Sequence, residues 1–318
     1  MHILGGVQPV VLFWICIVLL ILTAALSAAL YVFIFFNHPD KHKTPEKQME
    51  GDQYKPYRDL YRSYIEEIAE LPCKRIYIRS FDGKKLSARY YDNVPGAPVA
   101  ILMHGYRAAA AGDFAGIFQI LKKLGLNILL ADERACGKSE GLTVTFGVKE
   151  RHDCLSWVRY IMRHNGEDTK IILYGVSMGA ATVMMASELD LPENVIGIIE
   201  DCGYTSPKDI ICRVAKGMGL PAGLLYPFAR IGARVFGGFD IEESSASEAL
   251  RHAKVPVLFI HGYQDGFVPY YMCGQVFEAC SAPKQMETFD RAEHAVSCLS
   301  DPFRYESVVE TFIKGLSS

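Results

Sequence analysis

The stretch Lys170–Ala186, KIILYGVSMGAATVMMA, contains a serine between a strand-like half and a helix-like half. Its first half is an apolar run typical of a buried β-strand, and its second half is rich in small and apolar residues that suit a helix packed closely on a sheet. Ser177 lies between the halves, inside the pattern Gly-x-Ser-x-Gly. A serine on such a sharp turn has a strained backbone, and its neighbours must be glycine to give clearance. We therefore predict that Ser177 is a nucleophile.

The same five-residue pattern occurs a second time, at Gly137–Gly141. Ser139 is its central residue, but the sequence GLTVTFG that begins at Gly141 does not resemble the start of a helix. The pattern alone is therefore weakly specific, and the strand before it and helix after it decide between the two serines. We interpret Ser139 as an ordinary turn residue.

Eight runs in the chain have the composition of β-strands, and helical periodicity separates most of them. The runs are Arg75–Phe81, Leu86–Tyr91, Val99–His104, Asn127–Ala131, Lys170–Gly175, Val195–Glu200, Val255–His261 and Gln285–Phe289. Asp82-Gly83 predicts a hairpin between the first two, and the later runs are continuously apolar, as in strands covered on both faces. The alternation predicts an α/β fold with an eight-stranded, mostly parallel sheet flanked by helices.

One connection in this pattern is unusually long. Residues 201–254, which are 54 residues, separate Glu200 from Val255, whereas a connection that contains one helix needs about 15–25. The segment is rich in glycine, proline and aromatic residues. We expect an inserted helical cap over about residues 203–252, at the edge of the sheet where Ser177 lies.

A serine hydroxyl needs an adjacent base that is held in the correct tautomer. Asp265 follows the seventh predicted strand and His294 follows the eighth. Both therefore project from the carboxyl edge of the sheet, as Ser177 does. We predict that His294 is the base and that Asp265 orients it. His104 and His261, which close two strands, are interpreted as structural residues.

Attack by a serine on an acyl carbonyl creates an oxyanion, which two main-chain N–H groups can stabilise. The residue after the nucleophile, Met178, is expected to supply one of them. The loop after the third strand, His104-Gly105-Tyr106-Arg107, is expected to supply the other from Tyr106. For the side chain of Arg107, contact with substrate and contact with solvent both remain open.

The first 36 residues carry no Asp, Glu, Lys or Arg, and residues 10–36 form an apolar run. As a helix this run would be about 40 Å long, enough to span the roughly 30 Å hydrocarbon core with some tilt. A core helix is rarely apolar on every face, and a signal peptide has a shorter apolar run after a basic residue. The sequence therefore predicts a retained, single-pass transmembrane helix.

Basic residues near the ends of this helix predict its orientation. None precedes it, and six follow it: Lys41, Lys43, Lys47, Lys55, Arg58 and Arg62. The positive-inside rule then places the large domain in the cytoplasm. Nine cysteines without CxxC spacing agree with a reducing compartment, where we interpret them mainly as buried thiols.

The whole chain has 33 basic and 36 acidic residues, a net charge of −3. This balance offers no basic field for nucleic acid, so we expect no nucleic-acid partner. Apolar residues make up 50% of the chain, which excludes general disorder.

Taken together, these residues resemble the α/β-hydrolase superfamily over about residues 75–318. The chain is most similar to esterase-like hydrolases grouped with serine aminopeptidase-type domains. Their His-Gly-Tyr turn corresponds to residues 104–106, and their Asp-x-Arg-x-x-Gly-x-Ser-x-Gly loop corresponds to residues 132–141. That loop commonly has histidine where this chain has Cys136. The resemblance implies the α/β-hydrolase fold and a catalytic triad of Ser177, Asp265 and His294.

The predicted organisation is a short tail over 1–9, a transmembrane helix over 10–36, a linker and amphipathic helix over 37–70, and a hydrolase domain over 71–318. The expected activity is cleavage of acyl esters through an acyl-enzyme, with no cofactor and no metal. A peptidase or thioesterase would use the same triad, so a peptide-like substrate stays open. A non-catalytic binding module of the same fold is the alternative from a different class, and the sequence does not indicate the oligomeric state.

Overall fold

A computed structural model describes residues 9–39 and 43–316 of the chain. Residues 1–8 of the predicted tail, and Lys41 among the predicted flanking cations, lie outside the described residues.

The centre of the fold is one eight-stranded sheet with strand order β1-β2-β4-β3-β5-β6-β7-β8. The strands are β1 (Lys74–Arg79), β2 (Lys85–Tyr91), β3 (Val99–Met103), β4 (Asn127–Asp132), β5 (Ile171–Val176), β6 (Val195–Asp201), β7 (Val257–Gly262) and β8 (Lys284–Phe289). β2 pairs antiparallel with both β1 and β4, and all the other pairs are parallel. The predicted α/β fold, with its antiparallel start, is confirmed.

Helices cover both faces of this sheet. They are α1 (Pro9–Ile34), α2 (Pro45–Gln48), α3 (Arg58–Glu70), α4 (Ala110–Asp113), α5 (Ala115–Lys123), α6 (Glu150–Asn165), α7 (Met178–Ala186), α8 (Pro207–Gly217), α9 (Ala222–Gly232), α10 (Ala246–Ala249), α11 (Tyr270–Ala279), α12 (Ser297–Ser300) and α13 (Pro302–Gly315). Neighbouring strand residues serve opposite faces, as the pleat requires. Ile101 belongs to the core cluster that contains Trp157 of α6. Leu102 belongs to the second core cluster, which contains Tyr61 of α3 and Tyr305 of α13.

The predicted apolar helix is present as α1, and most of its surface is exposed. Only 6% of its most apolar 18-residue window is buried, so α1 is not a core helix of the described chain. The helix ends at Ile34 rather than at Phe36. Phe35 is fully buried in the core, and Phe36 forms a bridge with Thr143. The end of α1 is therefore built into the globular domain.

The segment predicted as a linker and amphipathic helix is folded against the domain. It forms α2, a 3₁₀ helix over Asp52–Tyr57, and α3. Tyr54, Tyr61 and Ile68 are almost fully buried in the core between α3, α5 and the sheet. Residues on both sides of the predicted boundary near residue 71 share one core.

The long connection between β6 and β7 forms the expected cap. It contains α8, α9, a π-helical turn over Ala233–Gly237, and α10. α8 and α9 pack on each other, and α9 also packs along α1. Two ion pairs close the turn after α9, because Arg230 binds both Asp240 and Glu242. The cap is thus in contact with α1 through α9.

Candidate active site

Ser177 lies on the sharp turn between β5 and α7. Its backbone has φ 56° and ψ −113°, a strained conformation for a residue with a side chain. Glycine is required at the flanking positions 175 and 179 because a side chain there would clash with the backbone. A Cβ atom on Gly179 would lie 1.8 Å from the carbonyl oxygen of Met103, and one on Gly175 would lie 2.1 Å from that of Gly179. The turn therefore presents Ser177 to the cavity and leaves no room for a side chain at positions 175 and 179.

The structure brings Ser177, His294 and Asp265 into one hydrogen-bonded row. His294 Nε2 lies 2.9 Å from Ser177 Oγ, and His294 Nδ1 lies 2.7 Å from Asp265 Oδ2. The second carboxylate oxygen of Asp265 accepts the N–H groups of Phe267 and Val268 at 2.9 and 2.8 Å. Asp265 is thereby fixed by the loop after β7, and it can fix the imidazole in turn.

The electrostatics of His294 favour its role as a base. Burial disfavours the imidazolium, but the charge and hydrogen bond of Asp265, together with the carboxylates of Asp113 and Asp201, outweigh burial and raise the pKa of His294 above its ordinary value of 6.5. A base with a raised pKa accepts a proton from a serine hydroxyl more readily. The imidazolium that forms is stabilised by Asp265.

The two predicted oxyanion donors lie at adjacent loops of the same edge. Met178 is the first residue of α7, so its N–H has no helical partner. The N–H of Tyr106 is in the loop after β3, and the described part of the chain provides no hydrogen-bond acceptor for either group. The neighbouring N–H of Gly105 is occupied, because it donates to Asp113 Oδ2 at 2.6 Å. The structure thus leaves Tyr106 rather than Gly105 available.

Sequence reasoning missed the pair that holds this loop, Asp113 and Gln48. Besides binding Gly105, Asp113 accepts a hydrogen bond from the side-chain amide of Gln48, and Gln48 Oε1 accepts the N–H of Ala109 at 3.0 Å. Burial raises the pKa of the Asp113 carboxyl. Gln48 lies in the segment predicted as a linker, and no local pattern indicates a contact with a residue 65 positions later.

A cavity of about 800 Å³ opens over Ser177 and His294, within the size range of small-molecule sites. Its walls come from the end of α1, the segment after α1, helices α8 and α9 of the cap, the loops after β7 and β8, and the loop over residues 104–107. We call this last loop, which holds the predicted donor Tyr106, the oxyanion loop. Most of the side chains from α1 and the cap are apolar. The predicted cap therefore does cover the site, and α1 contributes a wall that the sequence did not predict.

The comparisons with known proteins give the same picture of the fold. No family model matches the chain. The YqkD protein of Bacillus subtilis is 24% identical over 304 residues, which cover 94% of this chain and 98% of YqkD. Lysophosphatidylserine lipase ABHD12 of Rattus norvegicus is 24% identical over 207 residues, which cover 60% of this chain and 48% of ABHD12.

Among solved structures, the Pyrococcus furiosus esterase PF2001 superposes with a TM-score of 0.65 at 24% identity, over 78% of this chain and 92% of the esterase. The mouse α/β-hydrolase domain-containing protein 10 superposes with a TM-score of 0.58 at 22% identity, over 76% of this chain and 99% of its own. The chain has the α/β-hydrolase fold.

Arg107 has a role that neither open interpretation named. Its guanidinium donates to the main-chain oxygens of Phe33, Ile34 and Phe36 at 3.3, 3.4 and 2.6 Å. These carbonyls at the end of α1 have no helical partner, and a cation there also complements the helix dipole. The hydroxyl of Tyr106 donates to Ile34 O at 2.6 Å. The oxyanion loop is therefore fastened to the end of α1.

The second serine motif, Gly137–Gly141, connects neighbouring parts of the chain through hydrogen bonds of Ser139. Ser139 Oγ donates to the main-chain oxygen of Asp132 at 2.5 Å and accepts the N–H of Ser87 at 2.8 Å. His104 and His261 likewise make main-chain hydrogen bonds, with Glu133 N–H and Val268 O. Ser139 and His104 make no hydrogen bond with the row around Ser177 in the described part of the chain, whereas His261 Nε2 lies 3.5 Å from Asp265 Oδ2 and so packs behind the row.

One group of side chains has ligand atoms close enough to surround a metal ion. Atoms of Cys202, Asp265 and His294 lie within 4.8 Å of one another. Burial, together with neighbouring carboxylates, raises the pKa of the Cys202 thiol well above its ordinary value, whereas metals bind the thiolate. Ligation would also compete with the hydrogen bond between His294 and Asp265. The donor set therefore suits hydrogen bonding better than metal binding.

Proposed function

We propose that this α/β-hydrolase is a serine hydrolase that cleaves acyl esters. The observation that carries the proposal is the hydrogen-bonded row Ser177–His294–Asp265, with two free main-chain N–H groups beside it. The coarser conclusion, an esterase-like or lipase-like hydrolase, is supported independently by similarity to an esterase and to a lipase.

The geometry accounts for each step of such a reaction. Ser177 Oγ attacks the acyl carbonyl while His294 Nε2 takes its proton. The oxyanion accepts hydrogen bonds from the N–H groups of Tyr106 and Met178. His294 then protonates the leaving alcohol, and the acyl group remains on Ser177. Water, deprotonated by His294, attacks the acyl-enzyme and regenerates the serine.

An ester is proposed ahead of an amide or a thioester. An alcohol leaves a tetrahedral intermediate more readily than an amine does, and the apolar walls of the cavity suit an acyl chain more than a peptide. The triad itself does not distinguish among these three classes, so the test must include all of them.

The test compares esters, thioesters and peptide p-nitroanilides with the full chain, Ser177→Ala and the matched control Ser139→Ala. We expect the ester series to have the highest kcat/KM, and we expect Ser177→Ala to lower it by several orders of magnitude, about 10⁴-fold or more. Ser139→Ala should retain most of the activity. Preferred p-nitroanilide or thioester hydrolysis would replace the ester assignment, and no Ser177-dependent turnover would favour a binding module.

We further propose that α1 is a retained membrane anchor and that the catalytic domain lies in the cytoplasm. The exposed apolar surface of α1 supports anchoring. Its buried end supports retention, because cleavage would remove Phe35 from between Phe146 and Phe239 in the core. The orientation rests on the basic residues that follow α1, among which Lys43 and Lys47 are exposed.

A further inference from the structure

We infer that α1 is both an anchor and one wall of the acyl-binding site, and that the substrate is a single-chain ester amphiphile that enters the cavity from the bilayer. The inference rests on the proposed ester hydrolysis and on α1 as a membrane helix. It adds the substrate class and the surface from which the substrate comes.

The first observation is that the anchor reaches the catalytic cavity. Leu30, Phe33 and Ile34 of α1 line the same cavity as Ser177 and His294. α1 has 26 residues, whereas about 20 suffice to cross the hydrocarbon core. Its last turn can therefore stand at the boundary between hydrocarbon and headgroups, which is where the cavity begins.

The second observation is that an apolar part of the cavity wall belongs to the cap. Ile210, Ile211 and Val214 of α8, together with Leu225 of α9, line the same cavity as the α1 residues. An acyl chain placed between α1 and the cap would contact apolar side chains on both sides. Burial of apolar chain surface in such a slot is favourable.

The third observation is that α1 has a fixed position against the cap. A Cβ atom on Gly232 would lie 2.4 Å from the carbonyl oxygen of Ser27, so α9 and α1 are in very close contact there. The rings of Tyr31 and Phe236 meet at 5.7 Å, and Tyr31 also shares a hydrogen bond with Thr143 at 2.7 Å. Because α1 is held at several points, its side chains form a defined wall.

The fourth observation concerns the outer surface of the cap. Leu224, Ile231, Val235 and Phe236 are 66%, 40%, 68% and 47% exposed, and all lie on α9 or the turn after it. These elements pack on α1. Exposed apolar side chains next to a membrane helix are stable when they face lipid. The cap therefore extends the apolar surface of α1, so that the slot between them faces the bilayer.

Another part of the cavity wall is polar. Lys43, Lys47 and Gln53, from the segment that follows α1, line it. A ligand that fills the whole cavity therefore needs an apolar chain at one end and a polar group at the other. This is the chemistry of a single-chain amphiphile, whose ester bond would lie near Ser177.

The experiment uses the full chain reconstituted in phosphatidylcholine vesicles, with a series of esters from butanoate to hexadecanoate. Leu30→Trp narrows the α1 wall. Its matched control is Val32→Trp, on the same helix turn, where the side chain is 54% exposed and does not line the cavity. We expect Leu30→Trp to lower kcat/KM for hexadecanoate at least about tenfold more than for butanoate, and we expect Val32→Trp to keep the wild-type ratio.

Leu30→Ala enlarges the cavity at the same position and should shift the preference towards longer acyl chains. This second variant keeps the test valid if Leu30→Trp does not fold. Adding inert lipid to the same vesicles should lower the rate on hexadecanoate in proportion to its dilution in the bilayer. The inference would be overturned if both Leu30 variants kept the wild-type preference for acyl-chain length. It would also be overturned if the rate on hexadecanoate did not fall when inert lipid was added. If the wild-type chain shows no Ser177-dependent ester hydrolysis, the proposed function is overturned, and the inference with it.

Discussion

In the proposed mechanism, the pairing of His294 with Asp265 determines the pH range in which Ser177 can be activated. Only the neutral imidazole can take the serine proton, and Asp265 raises the pKa of His294 above 6.5. Activity should therefore rise as the pH increases through that raised pKa. We expect the acidic limb of a plot of log kcat/KM against pH to have its midpoint above 6.5.

This profile is measured with an ester whose own hydrolysis does not depend on pH in the range, and circular dichroism at each pH excludes unfolding. A midpoint at or below the ordinary histidine value would mean that Asp265 does not hold a charge beside His294 in the free enzyme.

At the scale of residues, the sequence predicts the row around Ser177 because each member lies in the turn or loop that follows a strand. The carboxyl ends of parallel strands meet at one edge, so the order of the strands is enough to bring Ser177, Asp265 and His294 together. Gln48 and Asp113 follow no such rule. Their contact depends on how α2 folds back over the oxyanion loop, and that packing leaves no periodic signal in the sequence.

At the scale of elements, the contact between α1 and α9 depends on one glycine. An alanine at position 232 would place a methyl group 2.4 Å from Ser27 O, which forces the two helices apart. We expect Gly232→Ala to lower the free energy of unfolding by about 1–3 kcal/mol, as overpacking usually does. The measurement is thermal or denaturant unfolding of the full chain in detergent.

The matched control for that variant is Gly223→Ala, in the same helix. A Cβ atom there has nothing within 4 Å, so the alanine should be neutral or should stabilise the helix by up to about 1 kcal/mol. Equal effects of the two substitutions would show that α9 is not in close contact with α1.

The cap also offers a matched pair of large apolar residues. Leu225 lines the cavity, whereas Phe228, three residues later and similarly half-buried, does not. Leu225→Ala should therefore change the preferred acyl length, with a loss of about 1–3 kcal/mol of transition-state binding for the best ester. Phe228→Ala should lower stability but keep the preference. The comparison is kcat/KM across an ester series, and an identical profile for both variants would make the cap purely structural.

The elements themselves were largely predictable from the sequence. Continuous apolar runs such as Val99–Met103 are characteristic of strands covered on both faces, and they occur where predicted. The end of α1 was harder to predict, because Phe35 is as apolar as the residues before it yet turns into the core. Hydropathy alone does not distinguish a side chain that faces lipid from one that packs in a protein interior.

At the scale of the whole molecule, the orientation in the membrane can be tested with the cysteines that the chain already has. Of the nine, Cys16 and Cys73 are exposed, and Cys16 lies within α1. A membrane-impermeant maleimide should label Cys73 in permeabilised cells but not in intact ones, since the domain is proposed to face the cytoplasm. Cys73→Ser identifies the labelled site. Labelling of Cys73 in intact cells would place the domain on the outside.

The sequence suggested an anchor joined by a linker to an independent domain, and the structure shows a more integrated molecule. Residues of α1, the segment after it, the oxyanion loop and the cap enclose one cavity. This integration depends on contacts between distant parts of the chain, such as Arg107 with Phe36. Local patterns cannot predict such contacts, whereas they do predict the sheet that organises them.

The central claim, that Ser177 is the nucleophile of a serine hydrolase, is tested most directly by covalent labelling. The full chain is treated with a fluorophosphonate probe, and the modified residue is located by peptide mass spectrometry. The account predicts an adduct on Ser177 that is lost in Ser177→Ala and His294→Ala and retained in Ser139→Ala. An adduct on Ser139, or a wild-type protein that takes no label at all, would contradict it.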